Sequence, residues 1–218
     1  KGTKEVIKIT DLLFASTGVI GEDFPYLKIK SRIPELVKKL RDEQSKYLWF
    51  KVASAIMTTD TFPKGAGQKV IIGEDEFGIS GICKGSGMIA PHMATMLCFI
   101  FTDARIPSTV LQDLLSSGVD RSFNSITVDS DTSTSDTVLL FATGVGATHP
   151  DISSADDPVL RNFKAALDAV LLDLAHQVVR DGEGASKFIS ITVTGAEDKR
   201  AARSIGFSIA NSPLVKTA

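Results

Sequence analysis

Two runs, 96-MLCFIFT-102 and 137-TVLLFAT-143, are apolar or β-branched at nearly every position and carry no alternating polar face. Strands of that kind are stable only when both faces are covered, so the chain must fold in layers with helices or a second sheet packed on this one. A third run, 77-FGISGIC-83, and a fourth, 188-FISITVTG-195, also fit strands. The helices that would cover them are legible. In 158-PVLRNFKAALDAVLLDLAHQVVR-180 the apolar residues Val159, Phe163, Ala166, Leu167, Val170, Leu174 and Val178 recur at helical spacing. Asp157 is placed to cap that helix, Pro158 suits its first turn, and Gly182 is a natural stop. Further helices are expected at 33–44, 107–119 and 197–211. Strands mixed with amphipathic helices give a layered α/β or α+β protein. Of the Gly-, Ser-, Thr- and Asp-rich loops between them, 143-TGVGATHPDISSADD-157 is the best linker candidate.

The 218 residues, 43% of them hydrophobic and 23% charged, are enough for one large domain or two small ones. A net charge of -2 gives no electrostatic footprint for nucleic acid or an anionic membrane. Two cysteines, Cys83 and Cys98, make no disulfide scaffold and suit a reducing compartment. No run reaches the length of a membrane span, and 1-KGTKEVIKIT-10 lacks the apolar core of a signal peptide, so a soluble, cytoplasmic protein is expected.

The stretch 83-CKGSGMIAPHMATMLCF-99 puts a small residue and a threonine, Ala94 and Thr95, at the mouth of a core strand. Thr95 is either the first residue of that strand or a nucleophile in waiting. A threonine hydroxyl is a poor nucleophile until the residue becomes a chain end, when its own α-amine, titrating at about 8, can take the proton. Inside a chain this requires a cut before Thr95, and the glycine-rich approach Gly85-Ser86-Gly87 would help it. In 15-ASTGVIG-21, after the apolar 12-LLF-14, a strand running into a tight turn would let backbone N–H groups and the Thr17 hydroxyl face an anion, or would be an ordinary glycine turn. The segment 55-AIMTTDTFPK-64 is a polar pocket wall or a capped turn. In 180-RDGEGASK-187, between the long helix and a strand, Glu183 could bind an amino group or decorate a helix end.

Other motifs fail on inspection. Lys84 precedes its glycines, where a phosphate loop needs Gly-Lys-Ser/Thr. The acid-rich 129-DSDTSTSD-136 has Thr134 where a calcium loop needs its glycine, and reads as a hydroxyl-rich turn. His92, His149 and His176 have no metal-ligand spacing, with each other or with the cysteines, so no metal is expected. The serine-hydrolase elbow is approached only by 206-GFSIA-210, inside a helix pattern.

Together the segments 16-STGVIG-21, 56-IMTTDTFPK-64, 84-KGSGMIAPHMATML-97, 123-FNSITVDSDTSTSDT-137, 181-DGEGASK-187 and 212-SPLVKTA-218 resemble, in order, the ornithine acetyltransferase family, the bifunctional glutamate N-acetyltransferases of arginine biosynthesis. The resemblance implies a sandwich of two packed β-sheets flanked by helices. It implies self-cleavage between Ala94 and Thr95 into an α-chain part, residues 1–94, and a β-chain part, residues 95–218. Thr95 would then carry an acetyl group from N2-acetylornithine to glutamate, releasing ornithine and needing no cofactor; some members also accept acetyl-CoA as donor. The oxyanion hole maps onto Thr17 and Gly18, and substrate contacts onto Thr58, Lys84, Thr95 and Glu183. The cut chains would stay together and assemble further, as α2β2. Family members are longer at both ends and continue past a segment like SPLVKTA into a region that supplies further substrate contacts. They usually have Gly at the position of Ser130 and commonly Asn at that of His92. Two other readings stay open: a self-processing amidase or aminopeptidase that uses water as acceptor, and an inactive truncated fragment.

Overall fold

The computed structural model describes residues 8–19, 21–42, 47–89, 96–131 and 133–217. Four strands, β1 (Lys64–Ile72), β2 (Asp75–Lys84), β3 (Leu97–Thr102) and β4 (Thr137–Ala142), form one sheet in the order β1-β2-β3-β4. The first two pairings are antiparallel and β3–β4 is parallel. The β1–β2 hairpin pairs Ile72 with Asp75 and turns through Gly73, whose φ of 66° lies where a side chain would be strained. Among the described residues, six helices accompany the sheet: α1 (Tyr26–Asp42), α2 (Tyr47–Ala55), α3 (Ser108–Arg121), α4 (Arg161–Arg180), α5 (Lys199–Ala210) and α6 (Pro213–Thr217).

The long helix α4 organises the core. Its buried residues Phe163, Leu167, Val170, Leu171, Leu174, Ala175 and Val178 form one face and share a single apolar cluster with Ile72, Ile79, Cys83, Cys98 and Ile100 of the sheet. Each such Leu or Ile contributes about 1.5–3 kcal/mol by leaving water. Its start is as the sequence implies: Asp157 accepts the Val159 N–H at 3.0 Å, and Pro158 opens a short 3-10 turn ahead of the helix. α3 joins α4 on this face. The opposite face is more open: α2 packs there against β1 and β2, Trp49 meets Phe101 edge-on at 5.5 Å, and Phe101 stacks on Phe141 at 4.9 Å.

Several expectations are corrected. The described residues contain one sheet, not two. No strand forms at 188–195, where Phe188 and Ile189 are exposed because no neighbouring strand supplies a ladder. Nor does 12-LLF-14 run as a strand into a tight turn: residues 12–19 are irregular, with Leu12, Leu13 and Phe14 exposed. The first helix starts earlier than residue 33, holding Pro34 inside it. The segment 143–157 is no linker. Gly146 N–H bonds the Asp103 carbonyl at 2.9 Å, Ile152 is buried, and the buried His149 accepts the Arg105 N–H through Nε2 at 3.0 Å. α1 presents exposed Ile29, Ile33, Leu36 and Val37 at helical spacing. Among the described residues, no helix is long and apolar enough to cross a membrane.

Candidate active site

The sheet's register brings three strand ends together. Lys84, the last residue of β2, pairs with Leu97, the first of β3, and Leu97 pairs with Thr137, the first of β4. The chain segments that leave this row carry most of the polar groups the sequence singles out.

Lys84 is almost wholly buried, and its ammonium donates to the Thr58 hydroxyl at 3.1 Å. Burial lowers its affinity for the proton; the charge of Lys64 works the same way, while Asp60 and Asp136 oppose it. Thr58 is in turn shaped by Asp60, which accepts the Thr58 N–H at 3.1 Å on one oxygen and the Gly85 N–H at 2.7 Å on the other. The segment after α2 is thus a capped turn that holds Thr58 against Lys84. Burial would raise the Asp60 carboxyl, but the donors Gly85 N–H, Lys64 and Thr58 N–H outweigh it and hold it below the usual carboxylate range.

Beneath lies an ionic cluster that hydropathy conceals. Lys64, fully buried at the start of β1, donates to Asp60 at 2.6 Å and to Asp181 at 2.5 Å. Asp181, just past the end of α4, also accepts the Thr61 N–H at 2.9 Å and the Thr61 hydroxyl. Its carbonyl takes the Ser86 hydroxyl at 2.5 Å, and two residues on, the Glu183 N–H donates to the Ser86 carbonyl at 2.9 Å. Thr58, Lys84 and Glu183, far apart in sequence, are therefore tied to one frame.

Glu183 is exposed, and among the described residues none donates to its carboxylate. It lines an open groove of about 370 Å³ with Thr127, Lys187 and Lys216. A Cβ added at Gly87 would stand 2.9 Å from its Cδ and about 3 Å from both oxygens. Because that head is the free end of a flexible side chain, Gly87→Ala is expected to displace the carboxylate rather than unfold the chain. Tm should stay almost unchanged, while a cationic ligand that uses this carboxylate should bind several-fold more weakly.

The hydroxyl-rich turn closes the other flank. Asp129 accepts the N–H groups of Met88 at 2.5 Å and Ile89 at 3.0 Å, pinning the end of the glycine-rich stretch, and also that of Asp131 at 3.1 Å. Ser130 lies at φ 71°, a conformation glycine adopts without strain, which explains the glycine that the family resemblance sets there. The cysteines sit opposite each other in β2 and β3, free and buried, and burial pushes the Cys83 thiol up to about 12, far from nucleophilic use.

Other expected residues stand apart. Ala94 and Thr95, with His92 before them, lie outside the described residues. Thr17 is half-buried and Gly18 exposed in the irregular 12–19 segment, and no hydrogen bond among the described residues ties them to the cluster. Sequence alone assigns no contact to Asp60, Ser86, Asp129, Asp136 or Asp181, and no role at all to Lys64. The only signal was a lysine opening an otherwise apolar-ending strand, four residues after an aspartate.

A family model described as the ArgJ family matches residues 2–218. Proteins named arginine biosynthesis bifunctional protein ArgJ, from Nitrobacter winogradskyi, Rhizobium meliloti and Mesorhizobium japonicum, are 54%, 54% and 55% identical over 213, 210 and 210 residues. These alignments cover 97%, 95% and 95% of the chain but 50% of each relative. The chain therefore spans about half the length of the curated relatives it matches. The crystal structure of arginine biosynthesis bifunctional protein argJ from Bacillus halodurans is similar with a TM-score of 0.51 and 42% identity, over 54% of this chain and 55% of that one.

Proposed function

The chain belongs to the ArgJ family, and from that premise we propose that the protein containing it is a self-activating acetyltransferase that moves an acetyl group from N2-acetylornithine to glutamate in arginine biosynthesis. The observation that carries this reading is the convergence of Thr58, Lys84 and Glu183 at the sheet end where β3 begins, two residues after Thr95. The covalent chain, reaching at most about 3.5 Å per residue, tethers Thr95 to that end.

Hydrolysis of the Ala94–Thr95 peptide bond gives an α-chain part, residues 1–94, and a β-chain part opening on a free α-amine and hydroxyl. The amine takes the hydroxyl proton as Thr95 Oγ attacks the acetyl carbonyl. Thr17 and Gly18 donate to the oxyanion, an interaction worth about 3–4 kcal/mol per donor in comparable sites. The C–N bond to ornithine breaks, ornithine leaves with the proton, and an acetyl ester remains on Thr95. The glutamate amine then attacks that ester, the Thr95 Oγ–acetyl bond breaks, and the nucleophile is restored. Lys84 suits a substrate carboxylate and Glu183 an ammonium. Acetyl-CoA would serve as an alternative donor through the same ester.

The second sheet that the family resemblance implies would pack against the first and cover the apolar face of α1. The two parts stay associated as α2β2 in the cytoplasm. The test is acceptor choice. With the full-length protein and N2-acetylornithine, glutamate should suppress release of free acetate and yield N-acetylglutamate at a matching rate. Acetate as the main product at saturating glutamate would replace the transferase by an amidase.

A further inference from the structure

One acidic group at the sheet end has no part in the reaction as written. Asp136 stands immediately before β4, and its Oδ1 accepts the Met96 N–H at 2.7 Å. The next residue, Thr137, donates its own N–H to the Met96 carbonyl at 2.9 Å. Asp136 and Thr137, the residue before β4 and its first residue, thus hold both backbone polar groups of residue 96. Met96 is buried, with its Cβ 3.5 Å from where a Cβ on Gly85 would stand, so the clamped residue is also packed against the glycine-rich approach. Asp136 is not sealed off: with Ile89, Met96 and Thr137 it lines a groove of about 600 Å³ that reaches α3.

A peptide unit is planar, so a fixed N–H on one residue also restrains the Cα of the residue before it. Building on the self-cleaving reading above, we propose that Asp136 is a positioning residue for the nucleophile: through Met96 N–H it holds the peptide unit that joins Thr95 to the core strand. It orients Thr95 both for its release and for attack, where misplacement by about 1 Å can cost on the order of 100-fold. A carboxyl is suited to this because it accepts the N–H in either protonation state.

Among the described residues, the charged groups around it are Lys84 from β2 and Asp120 of α3, which lines the same groove. Burial raises the Asp136 carboxyl to about 7, against the pull of Met96 N–H and Lys84. Between about pH 4 and 7 the folded chain therefore holds a proton that the unfolded chain lacks. That contribution to stability is complete below the unfolded value and is lost as pH rises through about 7.

The experiment compares Asp136→Ala and Asp136→Asn in the full-length protein, following cleavage by intact mass and then transfer at pH 5–8. Alanine removes the acceptor and should slow cleavage at least about tenfold. Asparagine keeps an acceptor oxygen without the charge; cleavage should stay within about threefold of wild type, while the stability change between pH 4 and 7 flattens. An asparagine variant as slow as the alanine variant would overturn positioning in favour of a proton or charge role. Wild-type speed in the alanine variant would overturn it outright. If wild-type protein is itself not cut before Thr95, the self-cleaving reading fails and takes this one with it; a cut wild type with an unaffected alanine variant sinks this one alone.

Discussion

Full-length protein carrying Thr95→Ala is expected to remain one uncut chain and to lose acetyl transfer by about 10⁴-fold or more, the scale seen when a covalent nucleophile is removed. The loss is double. Without the side-chain oxygen there is no attack on the preceding carbonyl, so the α-amine is never released. Without the oxygen there is also no ester to split the transfer into two steps. The fold should be untouched, because the described core rests on α4, α3 and the sheet, with Met96 and Leu97 already buried downstream. A Tm within about 2 °C of wild type would confirm that chemistry, not folding, was lost. Thr95→Ser keeps a hydroxyl and should retain both cleavage and transfer, at reduced rates. Cleavage in the alanine variant would remove Thr95 from the mechanism.

The second large effect concerns stability. Lys64→Met is expected to cost about 3–5 kcal/mol, the penalty for removing one partner of a buried ionic group. Methionine fills similar space, so the loss is electrostatic. Asp60 and Asp181 would be left facing each other, with the cation between them gone. Urea unfolding should show it as a lower midpoint at unchanged slope. The direction with pH discriminates further. In the wild type the Asp60 carboxyl is held below its ordinary value, so its contribution is present above the unfolded pKa and is lost as pH falls through the lower folded one. In the variant Asp60 loses the Lys64 contact that helps hold its proton affinity down, and stability should recover on acidification. Transfer should fall as well, since Asp60 holds both Thr58 and Gly85. An unfolding free energy within about 0.5 kcal/mol of wild type would show that the cluster is not needed for the fold.

What the sequence revealed followed apolar pattern. β3, β4, α3 and α4 are legible because their residues are almost uniformly apolar or recur at helical spacing, although β4 is only half-buried throughout. β1 is not: 64-KGAGQKVII-72 opens on a lysine and two glycines, and hydropathy has no way to mark a lysine whose charge is satisfied by two buried aspartates. The short α2, 47-YLWFKVASA-55, is apolar on several sides and could not be told from a strand by period. Conversely, 188-FISITVTG-195 has the alternation of a strand, but a strand needs a partner and the described residues supply none. The family was legible from motif order. The frame behind the motifs was not, because Asp60, Lys64 and Asp181 act through contacts across 117 residues of chain and match no local pattern.

The most direct test of the whole account is the intact mass of the full-length protein under denaturing conditions, before and after N2-acetylornithine is added without glutamate. Two pieces dividing between Ala94 and Thr95 are expected, with the second gaining the mass of one acetyl group, lost again when glutamate is supplied. A single uncut chain, or an acetyl group fixed on any residue other than Thr95, would contradict it.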